Sequence, residues 1–169
     1  RGQTNYDIKN TFGTTLWRSD APQVESTQRM RLTTKTNLAA RILMFCAVHK
    51  DTTVRSADIA KACNASGNHL AQVVHQLHAH GYVATQRGRT GGLKLGRPAR
   101  DISIGQLFRL FESPTPFAEC FAETTNTCPL TGSCRLRAHI ERALEAFFQE
   151  LDQVTLEDLV QDNCGLEAF

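Results

Sequence analysis

The sequence of 169 residues lacks several features that would assign it to a common class of protein. No run of 18 or more apolar residues occurs, which excludes a membrane-spanning helix. No signal-peptide pattern opens the chain, so we expect a cytoplasmic protein whose cysteines are thiols. The CxxC spacing of a zinc ribbon is also missing.

The histidines do not form a pattern that is typical of an enzyme. Their spacing contains neither a catalytic triad nor a metal-hydrolase motif. Three of the six crowd the end of one predicted helix, where a polar face or the helix dipole explains them. The six are His49, His69, His75, His78, His80 and His139. The sequence therefore predicts a protein that is not an enzyme.

The net charge of +2 conceals an uneven distribution of charged residues. Residues 30–98 contain ten Lys or Arg and two acidic residues, a balance of +8. Residues 99–169 contain five Arg and twelve acidic residues, a balance of −7. A basic block of this size is typical of a surface that binds a polyanion, although a solvated basic face would have the same composition. We expect the two parts of the chain to have different tasks.

The N-terminal segment 1–29 differs in composition from the rest of the chain. It contains many Gly, Ser, Thr and Asn residues and shows little apolar periodicity, which predicts a disordered extension. Met30 then opens a sequence with the patterns of a folded domain, and we expect the natural start to lie there. The predicted organisation is an extension over 1–29, a DNA-binding domain over 30–98 and a cysteine-loop and dimerisation region over 99–169.

Residues 30–98 have the element order of a winged helix-turn-helix, which predicts a mainly α fold with one small β-hairpin. Apolar periodicity and turn residues predict helices over 36–49, 57–63 and 68–80, followed by strands over 82–85 and 93–95. Ser56 is the predicted N-cap of the second helix, and either Ser66 or Asn68 caps the third. Gly81 is predicted to end the third helix.

The third helix carries polar side chains opposite its apolar face, as a DNA-recognition helix requires. Asn and Gln side chains can pair with adenine, and arginines of the wing suit phosphates or a narrow minor groove. The wing glycines are expected to supply positive φ and to let backbone amides approach phosphate. An ordinary hairpin with surface arginines is the alternative. The predicted DNA-binding residues are Ser66, Asn68, His69, Gln72, His75, Gln76, Arg87, Gly88, Arg89, Gly91 and Gly92.

The region 99–169 is predicted to contain three helices and one irregular loop. Ser103 starts a helix that Pro114 ends, residues 112–134 form the loop, and Thr155 with Asp158 caps a short last helix. Between them lies a long helix, 135–152, with a wide apolar stripe. Its members are Leu136, Ile140, Ala143, Leu144, Phe147, Phe148 and Leu151. This stripe predicts a dimerisation helix, although packing on its own domain is the alternative.

The loop carries three of the six cysteines within fifteen residues. Cys120, Cys128 and Cys134 are separated by seven and five residues, a spacing of low specificity. Three soft thiolates favour an iron–sulfur cluster, a zinc site with a histidine such as His139, or a thiol redox switch. The other cysteines are expected to be structural, two in the core and one near the C-terminus: Cys46, Cys63 and Cys164.

From Met30 onward the chain resembles the iron–sulfur winged-helix repressor family, which includes IscR-, NsrR- and RirA-like proteins. The matching segments are Met30–Thr33, Asn68–Leu70, Arg87–Gly96, the three loop cysteines and Val154–Val160. The resemblance implies a homodimeric repressor that binds a palindromic operator in double-stranded DNA. It also implies that Cys120, Cys128 and Cys134 hold a [2Fe–2S] or [4Fe–4S] cluster.

The resemblance does not provide the fourth cluster ligand. IscR-like members have a histidine three residues after the third cysteine, where this chain has Arg137. Some NsrR-like members use an N-terminal aspartate, and the corresponding residue here is Asn37. The candidates are therefore Asn37, water or a residue of a partner subunit. Asn68–Leu70, Val73–His75 and Leu156–Val160 resemble NsrR-like proteins, which implies nitric oxide as the signal. An iron-responsive RirA-like or a cluster-biogenesis IscR-like regulator is the alternative.

Overall fold

The computed structural model describes residues 32–86, 88 and 91–166, except for the side chain of Cys164. The helices and strands are α1 Thr34–Val48, α2 Ser56–Ala62, α3 Gly67–Ala79, β1 Val83–Gln86, β2 Gly92–Leu95, α4 Ile104–Glu112, α5 Arg135–Asp152 and α6 Leu156–Val160. Short 3₁₀ turns cover Ala99–Asp101, Glu119–Phe121 and Cys164–Leu166. The predicted N-terminal extension, its Met30 boundary, Arg87 and Arg89 lie outside the described residues.

Hydroxyl side chains begin four of these helices. In each, the cap accepts a hydrogen bond from a backbone N–H three residues further along the chain. The caps are Thr33 of α1, Ser66 of α3, Ser103 of α4 and Thr155 of α6. Thr155 and Asp158 form the predicted reciprocal capping box. Ser66 rather than Asn68 is the cap of α3, because α3 already begins at Gly67.

The prediction that Ser56 caps the second helix is wrong. Arg55 occupies the cap position with extended backbone angles, and Ser56 is the first residue of α2. The reason is a long-range contact: Val54 and Leu93 exchange two backbone hydrogen bonds of 2.9 and 2.7 Å. The pairing ends at Val54, so Arg55 alone separates the extended segment from α2, which begins at Ser56, one residue earlier than the local sequence predicts.

The wing is the antiparallel hairpin of β1 and β2, with Val83 opposite Leu95 and Gln86 opposite Gly92. The expectation that Gly92 supplies positive φ is wrong, since its φ lies outside the left-handed region. A Cβ at Gly92 would instead lie 2.8 Å from the carbonyl carbon of Val54. Glycine is needed here because the backbone of the wing passes so close to the strand-like segment before α2.

The hydrophobic core is built around α1, which contacts α3, α4, α6 and β2. The buried face of α1 includes Leu38, Ala39, Ile42, Leu43 and Cys46. Elements from both predicted regions of the chain therefore share one core, and the described residues of the two regions form one compact unit. Burial of apolar side chains stabilises by about 25 cal/mol per Å² removed from water, so α1 is the element on which this unit depends most.

The core cysteines are located as predicted. Cys46 and Cys63 are buried, and neither forms a disulfide within the described part of the chain. Desolvation by burial, together with the nearby Cys63, raises the pKa of Cys46 to about 12. Burial also raises the pKa of Cys63. Both thiols are therefore protonated near neutral pH and behave as small apolar side chains.

The helix α5 has the bounds that the sequence predicts, 135–152, but it lies at the surface. No residue of α5 is buried, and the members of the predicted stripe are either half-buried or exposed. Its packing partner is α4. Leu136, near its N-terminal end, is 65% exposed. The apolar stripe is thus incompletely covered by the chain itself.

Candidate nucleic-acid interface and cysteine loop

The surface of α3 has the two faces that a recognition helix requires. Leu70, Val73 and Leu77 are buried against the core. The opposite face exposes the three predicted base-reading residues, Asn68, Gln72 and His75. Of the remaining predicted residues, Ser66 is exposed, whereas His69 and Gln76 are half-buried. The amide side chains of Asn68 and Gln72 are free to enter a major groove.

Contacts at both ends hold α3 in place. Before its start, the residue that ends α2, Cys63, is held in place, because its carbonyl oxygen accepts a 2.7 Å hydrogen bond from Arg41 Nη1. Its end is joined to the wing, because His78 Nδ1 lies 3.1 Å from the carbonyl oxygen of Val83. Gly81 has the predicted positive φ of 73° and turns the chain into β1. The helix and wing are therefore positioned as one unit.

The tip of the wing has a glycine-dependent turn. Gly88 has a φ of 113°, a backbone conformation that residues with a side chain rarely adopt. A Cβ added at Gly88 would meet no atom within 4 Å. The amide of Gly91 donates a 2.9 Å hydrogen bond to the carbonyl oxygen of Gly88. Lys94 on β2 is exposed. The bond holds Gly88 and Gly91 close together at the end of the hairpin.

The three cysteines of the loop are half-buried and free of disulfides within the described residues. Cys120 lies in the 3₁₀ turn, Cys128 follows in the irregular segment, and Cys134 is the N-cap residue of α5. Thiols in this state are accessible to a metal ion, unlike those of the core. The three cysteines thus lie on one segment that leads into a long helix, as the sequence predicts.

Hydrogen bonds within the loop bring the Cys120 and Cys128 segments together. The carboxylate of Glu119 accepts bonds from the backbone N–H and the hydroxyl of Thr127, at 2.8 and 2.5 Å. These two residues immediately precede Cys120 and Cys128. The hydroxyl bond, followed by the backbone bond, lowers the pKa of Glu119. These bonds therefore fix the segments that carry Cys120 and Cys128 relative to each other.

The side chains do not yet form a complete metal site. Within residues 32–86, 88 and 91–166, no three His, Cys, Asp or Glu side chains are grouped closely enough to hold a metal ion. The donor set nevertheless fits an iron–sulfur cluster, because three accessible thiols are soft ligands. Next to them, Arg137 has a buried Nε without a hydrogen-bond partner in the described structure. Loading a cluster would have to bring the three thiols closer together.

Asn37, the candidate fourth ligand, is exposed in the first turn of α1. Its neighbour Thr36 is fully buried and makes the contact that the sequence does not reveal. The Thr36 hydroxyl donates to the carboxylate of Glu112, which also accepts a 2.8 Å bond from the amide of Thr33. Glu112 is the last residue of α4, directly before the cysteine loop. The start of α1 and the entrance to the loop are thereby joined.

A second link that sequence patterns miss joins α4 to α5. Arg109 Nη1 lies 2.7 Å from both carboxylate oxygens of Asp152, and Arg109 Nη2 lies 3.1 Å from Glu145. Hydrogen bonding to Asp152 raises the pKa of Arg109. At Gly105, a Cβ would lie 2.6 Å from the backbone nitrogen of Asp152 and 2.7 Å from the carbonyl oxygen of Phe148. The two helices cross in direct backbone contact.

Family membership follows from the sequence together with this fold. A family model described as Rrf2, iron-dependent transcriptional regulator, matches residues 32–162. The chain belongs to the Rrf2 family. It is 41% identical over 141 residues to the HTH-type transcriptional regulator NsrR of Geobacillus kaustophilus, covering 83% of this chain and 96% of the relative. The NsrR of Oceanobacillus iheyensis is 40% identical, also over 141 residues, with 83% and 96% covered.

Solved structures of Rrf2-type regulators have the same fold. CymR, the global cysteine regulator of B. subtilis, superposes with a TM-score of 0.60 at 27% identity and covers 78% of this chain and 97% of its own. IscR of T. potens superposes with a TM-score of 0.63 at 25% identity, covering 79% and 88%. The predicted winged helix-turn-helix and the NsrR-like transcription-regulator class are confirmed. The relatives named here are transcription regulators rather than enzymes.

The structure describes no helix that is both long enough and apolar enough to cross a membrane, within the residues it covers.

Proposed function

We propose that this Rrf2-family regulator is a homodimeric repressor whose affinity for a palindromic operator is controlled by an iron–sulfur cluster on Cys120, Cys128 and Cys134. One observation carries the proposal: three accessible thiols lie on one loop between a helix that is anchored to α1 and a helix that lies uncovered at the surface. The relatives named NsrR and the family description support the same assignment.

DNA binding would use the exposed face of α3 and the wing. Asn68, Gln72 and His75 are the residues we assign to base edges, with Ser66, His69 and Gln76 beside them. The wing, with Gly88, Gly91, Gly92 and the arginines Arg87 and Arg89, would contact phosphates or the minor groove. The balance of +8 over residues 30–98 supports this assignment, because phosphate contacts provide much of the affinity for DNA.

The apolar stripe of α5 supports dimerisation. Leu136 and Leu130 are 65% and 60% exposed, and both lie at or just before the N-terminal end of α5. A second copy of the chain is the partner that would cover this stripe, because two recognition helices are needed to read a two-fold operator. Leu136→Glu should shift the protein to monomers in sedimentation velocity. Ala138→Glu, on the opposite side of the same helix, is the matched control.

The cluster would couple to DNA through residues of this chain. When bound, a cluster supplies iron that nitric oxide can attack or that iron depletion can remove. Cys120, Cys128 and Cys134 would hold such a cluster and so keep the loop closed. Glu112 fixes the entrance of the loop to α1, and Cys134 lies at the start of α5. Release of the thiolates frees the loop and lets α5 shift against α4. The two recognition helices would then lose their spacing of about 34 Å on adjacent major grooves.

Nitric oxide is the signal that we propose, because the resemblance and the relatives favour an NsrR-like regulator. Iron status is the second candidate, since the matching family model is described as iron-dependent. The test is anaerobic purification followed by titration with nitric oxide or with an iron chelator. DNA binding is measured by fluorescence anisotropy with a duplex that the anaerobic protein has selected from a random-sequence library.

Release of the duplex at nitric oxide stoichiometric with the cluster is the result expected. Release of the duplex with the chelator but not with nitric oxide would show that iron status, rather than nitric oxide, is the signal. Stable, specific binding throughout both titrations would overturn control by a cluster. Metal analysis that shows zinc without sulfide would favour a zinc-structured DNA-binding protein instead.

A further inference from the structure

Arg137 lies between two of the three cysteines that we assign to the cluster. It is in the first turn of α5, three residues after Cys134. Its guanidinium carbon lies 5.5 Å from the centre of the Phe121 ring, and Phe121 directly follows Cys120. A cation over the face of an aromatic ring is attracted to it electrostatically. Arg137 thus joins the turn that carries Cys120 to the helix start that carries Cys134.

The Nε of Arg137 is a buried donor without a hydrogen-bond partner in the described part of the chain. Leaving such a donor unpaired is unfavourable, because it loses its hydrogen bonds to water, so a buried unpaired group calls for an explanation. Arg41 and Arg97 also have a buried unpaired Nε, but neither belongs to α5 or to the cysteine loop. Of these three arginines, only Arg137 lies next to the cysteines of the loop.

The chemistry of the loop provides a suitable acceptor for this donor. Thiolate and inorganic sulfide are anionic sulfur atoms that accept N–H hydrogen bonds, and both would be present when the three cysteines hold a cluster. Glu119, the nearest acid in sequence to Cys120, already accepts two bonds from Thr127. Its carboxylate is therefore engaged with the Cys128 segment.

We propose that Arg137 is a positioning residue of the cluster site, an inference that rests on the proposed function. Its contact with Phe121 ties the turn that carries Cys120 to the start of α5, where Cys134 lies, and its Nε–H would donate to a sulfur atom of the loaded site. A positive charge and a hydrogen bond next to a cluster raise its reduction potential, because both stabilise the more negative reduced state. Arg137 therefore tunes the cluster as well as placing its ligands.

The test compares Arg137→Gln and Arg137→Lys with Arg135→Gln. Arg135 is exposed and directly follows Cys134, so its replacement removes the same charge from the same turn without removing the contact with Phe121. Two quantities are measured for each protein. One is the midpoint potential of the anaerobically loaded protein, and the other is hydrogen–deuterium exchange over residues 117–122 of the metal-free protein.

Arg137→Gln should lower the midpoint potential and speed exchange over 117–122 several-fold, because the 3₁₀ turn loses its clamp. Arg137→Lys keeps the charge but not the Nε–H, and should give a smaller fall in potential. Arg135→Gln should stay close to the wild type in both measurements. Equal potentials for Arg137→Gln and Arg135→Gln would overturn the tuning role, and equal exchange would overturn the clamp. A wild-type protein that takes up no cluster would instead overturn the proposed function, and this inference with it.

Discussion

Glu112 accepts a hydrogen bond from the hydroxyl of Thr36, a side chain that is fully buried and 76 residues away in sequence. The bond joins the last residue of α4 to the first turn of α1. The cysteine loop begins directly after Glu112, and the core helix begins at Thr34, two residues before Thr36. We therefore expect movement at the entrance of the loop to be transmitted to α1, which packs on α3.

Loss of this bond should destabilise the fold and weaken the connection between the loop entrance and α1. Thr36→Val keeps the volume but removes the hydroxyl, which leaves a half-buried carboxylate with one partner fewer. The free energy of unfolding should fall by about 1–3 kcal/mol in urea denaturation. Glu112→Ala should have a similar effect, and the double variant should cost less than the sum of the two. Strict additivity in this cycle would show that the two residues do not act together.

Replacement of Gly105 should disturb the crossing of α4 and α5. A Cβ there would lie 2.6 Å from the backbone nitrogen of Asp152, so Gly105→Ala forces the helices apart. Overpacking of this kind costs roughly 1–3 kcal/mol, which thermal unfolding would detect as a lower Tm. Gly132→Ala is the control, since a Cβ at Gly132 meets nothing within 4 Å. An unchanged Tm for Gly105→Ala would contradict the close contact.

The capping box of α6 should make stability depend on pH in acid. The Thr155 hydroxyl, followed by its backbone amide, lowers the pKa of Asp158. A carboxyl whose pKa is lowered on folding stabilises the protein above its ordinary pKa of about 4, and this contribution is lost as the pH falls through the lowered value. Between pH 5 and pH 2, roughly the window of that titration, Asp158→Asn should lose less stability than the wild type. Parallel pH profiles of the two proteins would argue against the box.

Substitution of Gln72 should reduce sequence-specific binding without affecting the fold. Its side chain is exposed on α3, so Gln72→Ala removes no packing. Loss of a bidentate amide–adenine pair costs about 1–3 kcal/mol, or roughly 5- to 150-fold in Kd for the selected duplex. Binding to random duplex should change little. Gln106→Ala, an exposed amide on α4, should leave both affinities unchanged. If Gln72→Ala weakened both kinds of DNA equally, its assignment to base edges would be wrong.

Local patterns predicted the elements that local interactions control. The bounds of α5 and the cap at Thr155 and Asp158 are as predicted, because a stripe of period 3.6 and an i, i+3 bond lie within one segment. The Ser56 cap failed because Leu93, far along the chain, pairs with Val54. Long-range contacts of this type are not visible in the pattern of one sequence.

The same difference between local patterns and long-range contacts applies to the candidate site. The three thiols and the polar face of α3 could be proposed from the sequence, because clustered cysteines and polar residues at helical spacing are visible there. The partners of Glu112 and Arg109 could not be found, since each bond joins elements that only the folded core brings together. The role of Gly105 was hidden for the same reason: a close helix crossing leaves no mark in apolar periodicity.

The central claim is that the loop cysteines control specific DNA binding. The most direct measurement is the Kd of the selected duplex for anaerobically purified wild type, Cys128→Ala and the triple variant of Cys120, Cys128 and Cys134, with Cys164→Ser as the control. We predict a brown wild type and control that bind specifically, and colourless loop variants that have lost both colour and specific binding. Full specific binding by the colourless triple variant would contradict the claim.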